Sequence, residues 1–170
     1  MKLVIRKMTL EDVPSVIELD QKSFSLPWPE RSFRFELTAN PASRCWVAEL
    51  EGKIVGMIVV WLMVDEAHVA TIATHPDFRR KGIGTKLLSY ALRQLIDEGA
   101  RSSFLEVREH NVGAQEMYRK FGYEVSGRRP RYYRDNNEDA ILMNLDSLKA
   151  ERLVFGDERS SLGKEEENER

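Results

Sequence analysis

The chain has 170 residues, 42% of them apolar, and a formal net charge of −2. This length suits one domain with a single substantial core, and the near-zero charge provides no basic field of the kind that binds nucleic acid directly. Cys45 is the only cysteine, which excludes an internal disulfide, and with only three histidines we expect no metal site. The apolar runs are too short for a secretion signal or a membrane span, so we expect a cytoplasmic protein without a membrane partner.

The first forty residues predict a strand followed by two helices. Leu3 and Ile5 are typical of a short strand, and Thr9 suits the N-cap of a helix because Asp12 follows three residues later. The segment Leu26-Pro27-Trp28-Pro29 breaks that helix, and its last proline suits the first position of a second helix.

The middle of the chain predicts three strands and one long helix. Cys45 to Leu50 and Ile54 to Val64 flank a glycine-containing turn and predict an antiparallel hairpin. His68 to Thr74 predicts another strand, Gly82 to Glu98 a helix, and Phe104 to Arg108 a further strand. A strand, a long helix and a strand form a crossover unit, so we expect the last two strands to be parallel neighbours.

The last part of the chain predicts a helix and two strands. Asn111 to Phe121 is the helix, followed by strands at Tyr123 to Gly127 and Ala140 to Leu145. The order predicts an α/β or α+β fold with a mixed sheet and a ligand where the crossover helix begins. We expect one domain over residues 1–149 and an acidic, disordered tail over 150–170, whose final eight residues contain no apolar side chain.

The residues Arg79-Arg80-Lys81-Gly82-Ile83-Gly84 join a predicted strand to the long helix. Glycine lets a ligand approach the backbone, the first turn of a helix has amides without intrahelical partners, and the basic side chains add positive charge. The segment lacks the third glycine of the dinucleotide fingerprint and the ending of the P-loop. The residues alone leave two interpretations open, an anion cradle and a solvated loop before a helix.

The same segment resembles the acetyl-CoA motif of the GCN5-related N-acetyltransferase (GNAT) superfamily, Gln/Arg-x-x-Gly-x-Gly/Ala, at every specified position. A second element, from Asn111 to Tyr123, is similar to the superfamily's Asn-x-x-Ala-x-x-x-Tyr-x-x-x-Gly-Phe/Tyr. Leu105-Glu106-Val107-Arg108, Tyr132-Tyr133 and Glu138-Asp139-Ala140 resemble segments of the RimI and Ard1-like branch, the protein N-terminal acetyltransferases of bacteria and archaea. The resemblance covers Leu3 to Leu145 and implies the GNAT fold, a mixed, mostly antiparallel sheet with a central splayed parallel strand pair and flanking helices.

This resemblance also implies a substrate pair and a cofactor site. The expected acetyl donor is acetyl-CoA, transferred directly in a ternary complex without a metal, and the expected acceptor is a protein N-terminus or peptide, such as a ribosomal protein or nascent chain. The enzyme would be a monomer or weak oligomer. The implied acetyl-CoA contacts are Ile72, Ala73, Thr74, Arg79, Arg80, Lys81, Gly82, Ile83, Gly84, Thr85, Asn111 and Tyr118.

Three residues are candidates for catalysis. Glu106 has apolar neighbours in a strand expected to be buried on both faces, so desolvation is expected to raise its pKa toward that of a general base. The alternative is a structural Glu paired with Arg108 or Arg131. The resemblance implies that Tyr118 is the general acid for the thiolate, as opposed to a core tyrosine alone, and that His68 shares the role of base, as opposed to a partly exposed histidine at a strand end.

Acceptor recognition is expected from Leu26, Trp28, Glu30, Tyr132 and Tyr133, whose aromatic members are alternatively core-capping side chains. The function expected from the resemblance is acetylation of protein N-termini, either narrowly on an alanine-starting ribosomal protein or broadly on nascent chains. Two rivals remain open. One is a GNAT enzyme that acetylates lysine or a small-molecule amine, and the other is a non-catalytic acetyl-CoA-binding regulatory module.

Overall fold

The structure is a computed structural model that describes residues 2–153, and within them seven strands form one sheet with four α-helices packed on it. The strands are β1 (Leu3–Lys7), β2 (Ser43–Leu50), β3 (Lys53–Met63), β4 (Glu66–Thr74), β5 (Ser102–Arg108), β6 (Glu124–Tyr133) and β7 (Glu138–Leu145). The helices are α1 (Val13–Ser23), α2 (Glu30–Thr38), α3 (Ile83–Asp97) and α4 (Val112–Phe121). The strand order is β1-β2-β3-β4-β5-β7-β6.

This topology confirms the predicted mixed sheet. The β2–β3 hairpin is antiparallel, β4 and β5 are parallel neighbours joined by α3, and every other pair is antiparallel. The amide of Thr9 donates to Asp12 Oδ2 at 2.8 Å, so the first helical segment begins where the capping pattern predicted.

Two element boundaries differ from the prediction. Pro29 has extended backbone and is the N-cap of α2, one residue before the predicted position. β6 continues to Tyr133, well beyond the predicted end at Gly127. It is one of the two edge strands of the described sheet, where exposed polar residues and a proline are tolerated, so the apolar alternation that marks inner strands is missing there.

The helices cover opposite faces of the sheet. α3 and α4 pack in a core that includes Leu87, Leu105 and Tyr118, whereas α1 and α2 pack in a second core around Met57 and Phe33. Leu87, Leu92 and Leu95 of α3 are fully buried, and each such aliphatic side chain contributes about 1.5–3 kcal/mol. Gly56 on β3 permits the close approach of α3, because a Cβ there would lie 2.8 Å from Leu87 Cδ1.

The parallel strands separate halfway along their length. Pairing between β4 and β5 runs from Glu66 and Ser102 to Val69 and Leu105 and goes no further. At this point the register between β3 and β4 shifts by one residue, so that Ala70 forms a bulge. The splayed strand pair implied by the resemblance is therefore present.

The folded part of the chain extends past the predicted boundary at residue 149. Leu148 and Leu153 are buried in the α3–α4 core, and the hydroxyl of Ser89 donates to the Leu153 carbonyl. Residues 154–170, the rest of the predicted tail, lie outside the described residues. None of the helices within 2–153 combines the length and apolar character needed to cross a bilayer.

Candidate active site

A cleft of about 850 Å³ opens where β4 and β5 separate. Its walls include both strands, the N-terminal ends of α3 and α4, the α1–α2 loop and the β6–β7 loop. The cleft brings together most of the predicted site residues, namely Leu26, Trp28, Ile72, Ala73, Thr74, Arg79, Arg80, Gly82, Ile83, Gly84, Thr85, Glu106, Asn111, Tyr118 and Tyr133. Four predicted residues do not line it, namely Glu30, His68, Lys81 and Tyr132.

The glycine segment forms an open helix N-terminus at one end of the cleft. Gly82 is the N-cap of α3 and has a φ of +77°, a conformation that favours glycine. The first-turn amides of Ile83, Gly84 and Thr85 have no intrahelical acceptor, and within residues 2–153 no side chain caps this helix. These donors and the partial positive charge of the helix end suit a diphosphate.

Two of the neighbouring basic side chains contact residues of the cleft wall. Lys81 Nζ lies 5.3 Å from the centre of the Phe78 ring, and Lys81 itself does not line the cleft as predicted. Arg79 Nε donates to the Thr74 carbonyl at 3.4 Å, at the end of β4. Arg79 therefore ties the cradle segment to the splayed strand.

Glu106 and His68 form a pair at the point where the strands separate. Glu106 Oε2 lies 2.8 Å from His68 Nε2, and their side chains are 15% and 14% exposed. The imidazole stacks on Phe104 at 4.3 Å with 10° between the ring planes, and it meets the edge of Trp61 at 5.2 Å. These ring contacts fix the plane of His68 and therefore the direction of its hydrogen bond to Glu106.

The expected environment of Glu106 was wrong in two respects. β5 is fully buried on one face only, because Leu105 and Val107 are buried whereas Glu106 on the opposite face keeps 15% of its side chain exposed. The hydrogen bond from His68 outweighs desolvation and lowers the pKa of Glu106, where the apolar neighbours had predicted a raised pKa. The ion pair of Glu106 with Arg108 that the alternative named is not formed, since Arg108 binds Asp135 and Glu138 and Glu106 pairs with His68.

Tyr118 lies on the α3–α4 side of the cleft. It is buried, and its ring meets the edge of Tyr123 at 5.8 Å. Burial raises the pKa of the Tyr118 phenol far above its usual value, so the hydroxyl keeps its proton at any physiological pH. Ring packing and a protonated hydroxyl are thus combined in one residue.

Asn111 is the N-cap of α4. Its Oδ1 accepts the Ala114 amide at 3.2 Å, and Asn111 lines the cleft with Ala114 and Tyr118. Because the side-chain oxygen is used in the cap, the Nδ2 group is the side-chain donor left for a ligand.

The predicted acceptor residues divide into two groups. Trp28, Leu26 and Tyr133 line the cleft, and Trp28 also packs its ring 5.3 Å from Phe33. Glu30 lies outside the cleft in an exposed ion pair with Arg34. Tyr132 also lies outside the cleft and is exposed.

A second ion cluster, which the sequence analysis missed, lies beside Tyr133. Arg108 binds Asp135 and Glu138 at 3.1 and 3.2 Å, and its guanidinium lies 4.0 Å from the centre of the Tyr133 ring. Ser25 hydrogen-bonds to Asp135, so this cluster joins the α1–α2 loop to the β6–β7 loop across the cleft. The strand alternation of β5 places Arg108 on the same face as Glu106, but no local pattern indicates its partners.

Asp20 is the other residue that the sequence analysis missed. It follows Val13 by seven residues and Val16 by four, so it lies on the buried face of α1, and its side chain lines the cleft. Asp20 Oδ2 accepts the amide of Trp28 at 2.7 Å. An acidic residue at a core position of an amphipathic helix was the signal that could have identified it.

Cys45 does not belong to the site. It is buried next to Ser43, and burial raises the pKa of its thiol to about 11, which leaves it without nucleophilic thiolate. Within residues 2–153, no group of His, Cys, Asp and Glu side chains is arranged to hold a metal ion.

A family model and a relative of known name both assign this chain to the same family. The model of the acetyltransferase (GNAT) family matches residues 13–123. A putative ribosomal protein bS18-alanine N-acetyltransferase of Bacillus subtilis is 39% identical over 142 residues, which cover 84% of this chain and 94% of the relative.

Two solved structures share the fold over nearly their whole length. The ribosomal-protein-S18-alanine N-acetyltransferase from Escherichia coli superposes with a TM-score of 0.79 at 29% identity, covering 91% of this chain and all of its own. Ard1 from Thermoplasma volcanium also gives a TM-score of 0.79, at 26% identity, covering 88% of this chain and all of its own. The chain belongs to the GNAT family of N-acetyltransferases.

Proposed function

We propose that this enzyme transfers the acetyl group of acetyl-CoA to the N-terminal α-amino group of a protein. The observation that carries the proposal is the His68–Glu106 pair, held at 2.8 Å where β4 and β5 separate. The gap between the strands joins the two sides of the sheet, so a thioester inserted there can meet an amine that arrives from the opposite face.

The two faces supply different substrates in this proposal. Leu105, Val107 and Tyr118 belong to the α3–α4 core, and the cradle at Gly82 begins α3 on that same side. Glu106 lies on the other face of β5 because side chains alternate along a strand. Acetyl-CoA, the donor of GNAT acetyltransferases, therefore lies on the α3–α4 side, and the acceptor amine comes from the side of α1 and α2.

The residues present fit acetyl-CoA. The amides of Arg80 to Thr85 would hold the diphosphate. The edge of β4 at Ile72, Ala73 and Thr74, which no longer pairs with β5, would pair with the pantetheine arm. Asn111 would donate to the same arm through Nδ2.

The site then supplies a proton acceptor and a proton donor for acetyl transfer. The amine nitrogen attacks the thioester carbon and forms a C–N bond, and its proton passes to the Glu106–His68 pair, directly or through one water. Backbone amides near Ile72 and Ala73 stabilise the developing oxyanion. The C–S bond breaks, and Tyr118 gives its proton to the departing thiolate.

The lowered pKa of Glu106 favours an α-amine as the acceptor. A carboxylate with a low pKa is a weak base, and it removes a proton less readily from a lysine amine, whose pKa is about 10.4, than from an α-amine at about 8. An α-amine is already partly neutral at physiological pH and needs little activation. The lowered pKa of Glu106 thus argues against the lysine-acetylating rival.

The pH dependence of the reaction follows from these values. The rate with a peptide α-amine should rise with pH and level off above about 8, because protonation of the amine removes the nucleophile. Glu106, whose pKa is lowered, stays ionised throughout and adds no second limb in this range. Measuring kcat/KM against pH for peptides whose α-amines differ in pKa should give midpoints that follow the peptide. A midpoint independent of the peptide would contradict the assignment.

Removal of the Tyr118 hydroxyl should slow turnover without loss of the fold. In Tyr118→Phe the ring still packs against Tyr123, so the thermal midpoint should change little. Loss of the proton donor should lower kcat by roughly tenfold to a hundredfold. Tyr123→Phe is the matched control, because the Tyr123 hydroxyl is bonded to Ser103 and lies outside the cleft. Equal kcat in wild type and Tyr118→Phe would remove Tyr118 from the mechanism.

The names of the relatives suggest which proteins this enzyme acetylates. The proteins from Bacillus subtilis and Escherichia coli are named for the alanine N-terminus of ribosomal protein bS18, and the Thermoplasma structure is an Ard1. We take an alanine-starting ribosomal protein as the first substrate to test, with nascent N-termini in general as the broader alternative.

Release of CoA with a peptide library tests the proposal. Each peptide is supplied with a free and with a blocked N-terminus, and CoA release should occur only with the free form. Release that requires an internal lysine, or occurs only with small amines, would support the rival GNAT enzyme. Tight acetyl-CoA binding without any release would support the non-catalytic module.

A further inference from the structure

Four carboxylates line the cleft in the described part of the chain, and they differ in their partners. Glu106 is bonded to His68, and Arg108 binds both Asp135 and Glu138. The fourth, Asp20, has no basic partner among residues 2–153 and accepts only the amide of Trp28.

This arrangement is costly for the fold. Asp20 is only 1% exposed, and burying a carboxylate without a cation is unfavourable. One backbone amide bonds Oδ2 and leaves Oδ1 without a hydrogen bond from residues 2–153. Burial raises the pKa of Asp20 to about 6, so the group remains ionised at pH 7.5. The protein thus keeps an uncompensated negative charge in the wall of its cleft.

The position of Asp20 selects the ligand that compensates it. Asp20 is on the buried face of α1, which packs on the side of the sheet where Glu106 and His68 lie. Acetyl-CoA cannot compensate this charge, because its diphosphate is negative and, in the proposed function, lies on the opposite side of the sheet. The acceptor amine, in contrast, is largely an ammonium ion when it arrives at neutral pH.

We propose that Asp20 binds the acceptor ammonium before the amine is deprotonated, and that it also positions Trp28 beside that ammonium. This inference rests on the proposed function and adds a substrate-binding residue to it. The carboxylate accepts the Trp28 amide through one oxygen and an N–H of the ammonium through the other. Asp20 thereby attracts the protonated amine, and the Glu106–His68 pair removes the proton.

Asp20→Asn tests the charge while keeping the loop contact, because the amide oxygen still accepts the Trp28 amide. The measurement is the Kd of an alanine-starting hexapeptide for the CoA-bound enzyme, with the same peptide in N-acetylated form as comparison. We expect the variant to bind the free peptide about tenfold more weakly, with unchanged affinity for the acetylated peptide and for acetyl-CoA. Equal loss for both peptides, or no loss for either, would overturn the proposal.

Thermal unfolding separates this inference from the proposed function. A carboxylate retained for a ligand should cost stability in the free enzyme, so Asp20→Asn should be as stable as wild type or more stable. A clearly lower thermal midpoint would mean that the charge is structural and would overturn the proposal. If wild type binds and acetylates no peptide, the proposed function fails, and this stability comparison still shows whether the charge of Asp20 is structural. Asp12→Asn is the matched control, because Asp12 is ion-paired with Arg6 and should lose stability when neutralised.

Discussion

Glu106→Gln is expected to lower kcat/KM for an acceptor peptide by about a hundredfold or more. General-base catalysis typically contributes 10²- to 10⁴-fold, and the amide cannot take a proton at neutral pH. The substitution keeps the shape of the side chain and a hydrogen bond with His68. We therefore expect acetyl-CoA affinity and thermal midpoint to stay close to those of wild type, as measured by equilibrium binding and thermal unfolding.

Two further variants sharpen this prediction. Glu109→Gln removes a carboxylate from an ion pair with Arg128 outside the cleft, and it should leave turnover unchanged. His68→Gln should slow turnover in the same direction as Glu106→Gln, and the double variant should be little slower than the slower single one, because residues that act as a unit are not additive. Wild-type turnover by Glu106→Gln across the pH range would show that the base lies elsewhere.

Gly82→Asp is expected to raise the Kd for acetyl-CoA by at least about tenfold. The new carboxylate stands at the N-terminus of α3, where the first-turn amides would hold the diphosphate. Two unit charges about 5 Å apart at an effective dielectric of 20 repel by roughly 3 kcal/mol, and 1.4 kcal/mol is already a factor of ten in Kd. Calorimetric titration with acetyl-CoA measures the change directly.

Gly52→Asp controls for the backbone strain in this variant. Gly52 has a φ of +80° and Gly82 a φ of +77°, and a Cβ at either position would meet nothing within 4 Å. Both substitutions thus pay the same conformational cost, but Gly52 lies in the β2–β3 turn, away from the cleft. If the two variants bind acetyl-CoA equally, then Gly82→Asp either loses no affinity for acetyl-CoA or loses it through strain alone. Either result would mean that the diphosphate is not held at the cradle.

The parts of this molecule that depend on local signals were predictable from the sequence. The hairpin at Gly52, the period of α3 and the cap at Thr9 each follow from residues within about one or two turns of one another. The parallel pair β4 and β5 follows from one general rule on crossover handedness and spacing. The GNAT motifs added the family, because the glycine segment and the Asn111 helix occur together.

The electrostatics of the site depended on contacts that no local pattern shows. His68 and Glu106 are 38 residues apart, and their bond reverses the pKa shift that the apolar neighbours of Glu106 had predicted. Arg108 finds its partners 27 and 30 residues away on the β6–β7 segment. Side-chain pairing across a sheet is decided by strand order and register, and those are settled only when the whole fold is assembled.

The position of β6 at an edge of the sheet explains why its predicted end differs from the observed one. β6 carries little apolar alternation because its outer side pairs with no strand among residues 2–153, and its identity as a strand comes from pairing with β7. The same extension places Tyr133 at the cleft and leaves Tyr132 exposed, which separates two residues that the sequence analysis had grouped.

The most direct test of the proposed function uses one peptide that starts with alanine and contains one internal lysine. After incubation with the enzyme and acetyl-CoA, fragmentation by mass spectrometry locates the added acetyl group. We predict that it is on the α-nitrogen of the alanine and that the lysine is unmodified. Acetylation of the lysine alone, or of neither nitrogen while acetyl-CoA binds normally, would contradict the assignment of this enzyme to protein N-termini.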